Sequence, residues 1–167
     1  IEIDKEDRMN NEYKEKLAIK NRLAKYYRDQ SVKNGLSGME KIVAYTPLEF
    51  QPRAMQRGTV VAQMGYGDIL TMMANKERFT IISGLNPSSQ LHLGHKVLFD
   101  MLFELQQMGG ELFIPLSDDE SYADGKIERL AEGAKNAKEK IIPVLQKMGF
   151  SSQKTHYLID TEQKNLY

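Results

Sequence analysis

The sequence of 167 residues predicts an α/β fold: a parallel sheet with helical crossovers, preceded by a mostly helical appendage over 1–41. Three observations carry this expectation. Short β-branched and aromatic runs alternate with longer stretches of helical period, in the order strand, helix, strand, helix, strand. Strands joined through helices in this way run parallel, with right-handed crossovers as the rule. The turns between them are rich in glycine, proline and serine.

From Lys14 to Lys33, the basic residues Lys14, Lys16, Lys20, Arg22, Lys25, Arg28 and Lys33 face only Glu15 and Asp29. Leu17, Leu23, Ala24, Tyr26 and Tyr27 recur loosely at helical spacing, so the segment reads as a charged amphipathic helix. Its basic face is either simply solvated or a contact surface for RNA phosphates. Gly35, Ser37 and Gly38 read as a linker and Ile42-Val43-Ala44-Tyr45 as strand-like, which puts a domain boundary at 41/42 and a second domain over 42–167.

Phe79-Thr80-Ile81-Ile82-Ser83 reads as a buried strand. Leu93, Val97, Met101 and Leu105 then mark one face of a helix, which Gly109 ends in the left-handed conformation that suits glycine. Leu112 to Leu116 is a second buried strand. After the turn at Asp124-Gly125, one face of a long helix is marked by Ile127, Leu130, Ala134, Ala137, Ile141, Leu145 and Met148. Pro143 should kink or divide that helix, because it cannot donate to the helical ladder. Gly149 closes it, Thr155 to Asp160 is the third strand, and Thr161 to Tyr167 is a polar loop or the start of another helix. Met72, Met73, Met101, Met108 and Met148 suit core faces, and His156 suits a strand edge.

Lys and Arg number 23 and Asp and Glu 23, so no global charge advertises a nucleic-acid partner. There is no cysteine, which excludes disulfides and thiolate metal sites. No apolar run approaches the roughly 20 residues that span a bilayer, so no membrane partner is expected. With no signal-peptide pattern at its start, the sequence reads as cytoplasmic.

The chemistry concentrates in Asn86-Pro87-Ser88-Ser89-Gln90-Leu91-His92-Leu93-Gly94-His95. A strand, a Gly/Pro/Ser turn and two histidines at a helix start suit polyphosphate, because the first helical turn has unpaired N–H groups and a positive dipole end. Two imidazoles add donors for charge developing on a phosphoryl oxygen. A second run, Gly109 to Tyr122, ends its strand in Asp118, Asp119 and Glu120, at the sheet edge where open parallel sheets bind ligands. Plainer explanations compete. The histidines or Ser88 and Ser89 could serve as caps, and the acidic residues as a solvated loop whose carboxylate caps the next helix. Among the three acids Glu120 is expected to be functional and Asp119 structural; no further group is spaced to complete a metal site.

His92-Leu93-Gly94-His95, with Pro87-Ser88 ahead of it, resembles the His-Ile-Gly-His signature of class I aminoacyl-tRNA synthetases. Ser117-Asp118-Asp119-Glu120-Ser121-Tyr122 resembles the Thr-Asp-Asp-Glu-x-Tyr of archaeal and eukaryotic-type tryptophanyl enzymes. Val43 to Phe50 and Arg57 to Leu70 are weaker echoes of the same group, so the likeness covers roughly 42–167 and is strongest over 84–125. It implies the first half of a Rossmann-like fold and ATP-dependent activation of tryptophan for transfer to tRNA, the tryptophan-specific tRNA, by a homodimeric full-length protein, with Mg2+ accompanying ATP. By the same match His92 and His95 are catalytic, and Gly84, Leu85, Asn86, Pro87, Ser88, Gly94 and both histidines bind ATP. Glu120, Ile82 and Pro115 line the amino-acid site, where Glu120 faces the substrate ammonium.

The sequence departs from that group at four positions. The group has Tyr at Ile82 and Gln at Pro115, and neither side chain found here can accept a hydrogen bond. The group's Arg and Lys are Leu85 and Ser121. The second class I signature, Lys-Met-Ser-Lys-Ser, is absent, so the sequence reads as the N-terminal portion of a longer protein, poorly active alone. The competing readings are a tyrosyl-tRNA synthetase, a small-molecule nucleotidyltransferase, which Gly84-Leu85-Asn86-Pro87 argues against, and a non-catalytic fragment that binds RNA or protein.

Overall fold

The computed structural model describes residues 2–163, apart from the side chains of 2–12 and of Lys16, Lys20, Ala24 and Arg28. The residues expected to continue past Gln163, 164–167, lie outside it. The chain divides into two compact units, Ile1–Gly67 and Asp68–Tyr167. This is a division by packing, between residues 67 and 68.

In the first unit α1 (Glu2–Lys33) is the expected long helix. Among the described residues its apolar side chains are not covered: Tyr13, Leu17, Ile19, Leu23, Tyr26 and Tyr27 are all exposed. The basic stretch can be followed at Lys14, Arg22, Lys25 and Lys33, whereas Lys16, Lys20 and Arg28 fall outside the described side chains. Gly35, at φ +78°, turns the chain out of the helix. Two expectations are corrected here. The 35–38 linker contains a short strand, β1 (Ser37–Gly38), which pairs antiparallel with β2 (Ala62–Gln63). The strand-like Ile42–Tyr45 run instead lies in and just after a helical turn, α2 (Glu40–Val43). Backbone bonds from Val43 and Ala44 to Met39 and Glu40 close the turn, so local helical pairing prevails over the β-type side chains. Buried Gln51 secures its end by donating to the carbonyls of Val43 (3.1 Å) and Thr46 (2.6 Å). A further short helix, α3 (Arg53–Gln56), follows Pro52 and buries Met55.

The second unit takes up the chain within α4 (Tyr66–Ala74), where Met73 is buried. Its sheet has the order β3 (Phe79–Ile82), β4 (Gly110–Leu116), β5 (Thr155–Ile159), with both pairings parallel. Phe79 lies opposite Gly110 and Leu112 opposite Thr155. The sheet matches the expected first half of a Rossmann-like fold. Leu112, Ile114 and Leu116 are each 0% exposed, so the central strand supplies one fully buried face.

The first crossover contains α5 (Leu93–Gln107). Its buried residues are Phe99, Leu102, Leu105 and Gln106. The expected face of Leu93, Val97, Met101 and Leu105 is therefore wrong at its N-terminal end, where Leu93 is 80% and Val97 57% exposed. Gln106, almost fully buried, donates to Lys154 O and Thr155 Oγ1, both at 2.9 Å, and accepts from Ser151 N at 2.8 Å. One amide side chain thus satisfies the polar groups at the entry to β5. Gly109, at φ +114°, ends the helical segment as expected.

The second crossover contains α6 (Asp118–Ala123), α7 (Leu130–Asn136) and α8 (Ile142–Lys147). Between α7 and α8 the backbone widens into a π-helical turn over Ala137–Ile141. Pro143 has no N–H and its ring would crowd the carbonyl four residues earlier, that of Glu139; the wider turn lies at that point. The long helix is divided as expected. Its buried face holds Ala137, Ile141 and Leu145; Leu130 is exposed, and Ile127, expected on the same face, is buried but precedes the helix, which begins at Leu130. Phe150 packs edge-on against Phe99 and Phe103, with ring centroids 6.3 and 5.7 Å apart.

Candidate active site at the C-terminal sheet edge

Beyond β3 the chain keeps contact with β4. Ser83 N donates to Phe113 O (3.2 Å), Leu85 N to Pro115 O (3.1 Å) and Ser117 N to Leu85 O (3.2 Å). Only glycine fits at position 84, since a Cβ there would lie 2.7 Å from the Pro115 carbonyl oxygen. In a parallel strand alternate residues bond to opposite neighbours, so Pro115 faces β3, as Phe113 does. Its missing N–H therefore falls where the paired stretch of β3 has ended after Ile82. This explains how the central strand tolerates a proline. Ile82 itself is 69% exposed and Pro115 half-buried. In the turn, Pro87 is fully buried while Leu85, Asn86 and Ser88 are half-buried.

The residue capping α5 is His92, not Ser88 or Ser89. His92 has extended backbone angles, and its Nδ1 accepts from Gly94 N at 3.1 Å. In return His95 Nδ1 accepts from His92 N at 3.2 Å. The histidines thus form a reciprocal capping box, with ring centroids 3.9 Å apart. An imidazole nitrogen that accepts from a backbone N–H carries no proton, so both neutral rings bear theirs on Nε2. Burial, and then repulsion from His92, holds the His95 pKa below the ordinary histidine value. Gly94 leaves room for this arrangement: a Cβ there would lie 3.0–3.1 Å from the His92 ring.

The three carboxylates form the first turn of α6, not a solvated loop, and they separate in role. Asp118 is 0% exposed; its Oδ1 accepts from Thr161 N at 3.1 Å and its Oδ2 from Thr161 Oγ1 at 2.5 Å. The sequence expects a structural role at Asp119; the fully buried carboxylate is that of Asp118. Asp119 Oδ1 accepts from Glu120 N at 2.8 Å. Exposed Glu120 meets Asn86, whose amide has one orientation that satisfies both its ends. In that orientation Asn86 Nδ2 donates to Glu120 Oε2 (2.9 Å) and Ser117 O (3.2 Å), while Oδ1 accepts from Lys126 Nζ (3.2 Å). Lys126 also pairs with Asp124 at 2.8 Å.

Sequence reasoning missed Lys126 and Asp160. Asp160 follows β5, and burial first raises its pKa; the Ser117 hydroxyl opposes that, and Asp119, Asp118 and Glu120 raise it further. Neither residue lies in a recognisable motif: the neighbours that matter are Asn86, in the turn after β3, for Lys126 and Ser117 with the carboxylates of α6 for Asp160. His156 is at the expected strand edge, 2.7 Å from Glu111 Oε1 and stacked on Phe113 at 4.4 Å.

Two cavities flank these groups. One of about 470 Å³ is lined by Asp119, Glu120, Tyr122, Ala123, Leu130 and Thr161. The other, about 450 Å³ and largely apolar, is lined by Leu91, His92, Leu93, Lys96, Phe99, Val144 and Met148. Among the described residues no group of His, Asp and Glu is arranged to hold a metal ion, and no helix is long and apolar enough to cross a membrane.

A family model described as tRNA synthetases class I (W and Y) matches residues 73–165. The chain belongs to this family. Its relatives include the tryptophan–tRNA ligase of Aeropyrum pernix, 30% identical over 113 residues, covering 68% of this chain and 30% of that protein. The ligase of Pyrobaculum calidifontis is 32% identical over 115 residues, covering 68% of this chain and 30% of that protein. The chain thus spans about a third of the length of these curated relatives. Among solved structures, the tryptophanyl-tRNA synthetase of Aeropyrum pernix superposes with a TM-score of 0.71 at 26% identity, covering 83% of this chain and 38% of that one. The tryptophan-bound enzyme of Encephalitozoon cuniculi matches with a TM-score of 0.71 at 24% identity, over 82% of this chain and 42% of that one, a likeness of fold. The family places the matched residues in the first part of a class I synthetase fold, as the strand order implies.

Proposed function

We propose that the chain is the N-terminal part of a tryptophan–tRNA ligase, which activates tryptophan with ATP and transfers it to tRNA. The observation that carries this reading is the reciprocally capped His92–His95 pair at the first turn of α5, at the C-terminal edge of a parallel sheet. The relatives bearing the name tryptophan–tRNA ligase support the choice of amino acid.

In this mechanism the substrate carboxylate attacks the α-phosphate of ATP in line and pyrophosphate leaves. The cap occupies both Nδ1 atoms, so His92 and His95 act through Nε2–H as neutral donors to charge building on the phosphate. Gly84, Leu85, Asn86, Pro87 and Ser88 shape the nucleotide turn, with Gly94 beside the ring of His92. Glu120 pairs with the substrate ammonium, and Ile82 and Pro115 form part of the amino-acid pocket. Catalysis then rests on positioning and electrostatic stabilisation. The aminoacyl group passes from the adenylate to the terminal ribose of tRNA.

The described residues do not form a cradle for Mg2+, which commonly binds through waters and substrate phosphates. We assign it to the phosphates of the nucleotide. A homodimeric, cytoplasmic full-length protein accords with this reading. The test is ATP–pyrophosphate exchange by the full-length protein, with tryptophan and tyrosine offered separately. Exchange with tryptophan alone is expected. Exchange with tyrosine alone would overturn the specificity, and exchange with neither, in folded protein, would overturn the reading.

A further inference from the structure

We infer that Lys126 is a positioning residue for Glu120, acting through the side-chain amide of Asn86; the inference rests on the proposed role of Glu120 in binding the substrate ammonium. An asparagine amide has one donating and one accepting end. Here Lys126 Nζ, which can only donate, meets Asn86 Oδ1 at 3.2 Å, while the Glu120 carboxylate meets Nδ2 at 2.9 Å. The ammonium therefore fixes the polarity of the amide. Reversing the amide would set its NH2 against Lys126 and its oxygen against Glu120, two repulsive contacts for two attractive ones. A second bond from Nδ2 to Ser117 O at 3.2 Å ties the same amide to the end of the β4 ladder.

Lys126 is itself aimed by Asp124, whose carboxylate lies 2.8 Å from Nζ. That pair raises the lysine pKa, with Glu120 adding to the effect. Gly125, at φ +67°, gives the turn that brings Asp124 and Lys126 to this point, and Lys126 N donates to Ser121 O at 3.0 Å. The chain Asp124–Lys126–Asn86–Glu120 thus joins the loop after α6 to the turn after β3. Through it, the turn assigned to the nucleotide holds the carboxylate assigned to the amino acid.

The test compares Lys126→Met with Lys126→Arg in the full-length protein. In Lys126→Met the KM for the amino acid rises about tenfold, the scale of one lost charge-assisted hydrogen bond, while kcat and the KM for ATP move less than twofold. Lys126→Arg restores most of the affinity. The second readout is the pair of Asn86 side-chain amide signals in the NMR spectrum of the same protein, labelled at asparagine. They shift in Lys126→Met and in Glu120→Gln and return towards their original places in Lys126→Arg. An unchanged amino-acid KM with unmoved Asn86 signals overturns the inference, as does an effect confined to kcat or to the KM for ATP. If the parent protein activates neither amino acid, the functional reading fails separately; the Asn86 signals alone then decide whether Lys126 orients the amide.

Discussion

Replacing Gly94 by alanine separates what the histidine pair does for the helix from what it does for the substrate. The new Cβ would stand 3.0 Å from His92 Cε1 and 3.1 Å from Nδ1, close enough that one of the two must move. The backbone of the first turn is fixed by the helix, whereas His92 is exposed and can swing away. A shift of a few tenths of an ångström lengthens and weakens the 3.1 Å bond from Gly94 N. Losing a cap costs about 1 kcal/mol, and replacing glycine by alanine in a helix returns up to about 1 kcal/mol. The two effects nearly cancel, so a denaturant titration of Gly94→Ala should give a stability within about 1 kcal/mol of the parent. Activation should respond far more strongly. A donor displaced from the developing charge costs on the order of 100-fold in kcat. Imidazole NMR supplies the structural check: His92 carries its proton on Nε2 in the parent and loses that fixed tautomer in the variant. A variant that keeps both the tautomer and full exchange activity would refute the reasoning, as would a parent protonated on Nδ1.

Asp118→Ala should destabilise the protein by about 1–3 kcal/mol for each of the two part-buried groups it strands, the N–H and the hydroxyl of Thr161. Asp118→Asn, which keeps an acceptor, should cost less, and urea unfolding of the two variants checks the order. The His95 NMR titration should give a midpoint below the ordinary 6.5, in keeping with its burial and the nearby His92. Folded His95 then binds its proton more weakly than the unfolded chain does. Its contribution to stability is complete above about pH 6.5 and is lost as pH falls through the lowered folded value. A midpoint above 6.5, or a His95 contribution that grows on acidification, would contradict the capped geometry.

The strands at Phe79–Ile82, Gly110–Leu116 and Thr155–Ile159 were legible because each is an apolar run bounded by turn residues, and their alternation with helices implied parallel pairing. Gly109 and Gly149 announced their helix ends, and Pro143 announced a break, for reasons confined to their own backbone. The failures share a different origin. Ile42–Tyr45 has β-type side chains, but contacts along the chain fold it into a turn of helix. Periodicity marks the α5 stripe but does not specify how far along the helix its partners extend; Leu93 and Val97 lie beyond that cover.

At the site, the sequence by itself determined the kinds of group present: two imidazoles at a helix start, three carboxylates after a strand, and a glycine-containing turn between strand and helix. These are local facts, fixed by residue identity and short spacing. Only the tertiary structure decided which carboxylate is buried, since Asp118 is defined by Thr161, 43 residues away. It also decided that Glu120 meets Asn86 and, through it, Lys126. Hydrogen bonds act over about 3 Å of space and are indifferent to separation along the chain, so these roles exist only once the strand ends have been brought together.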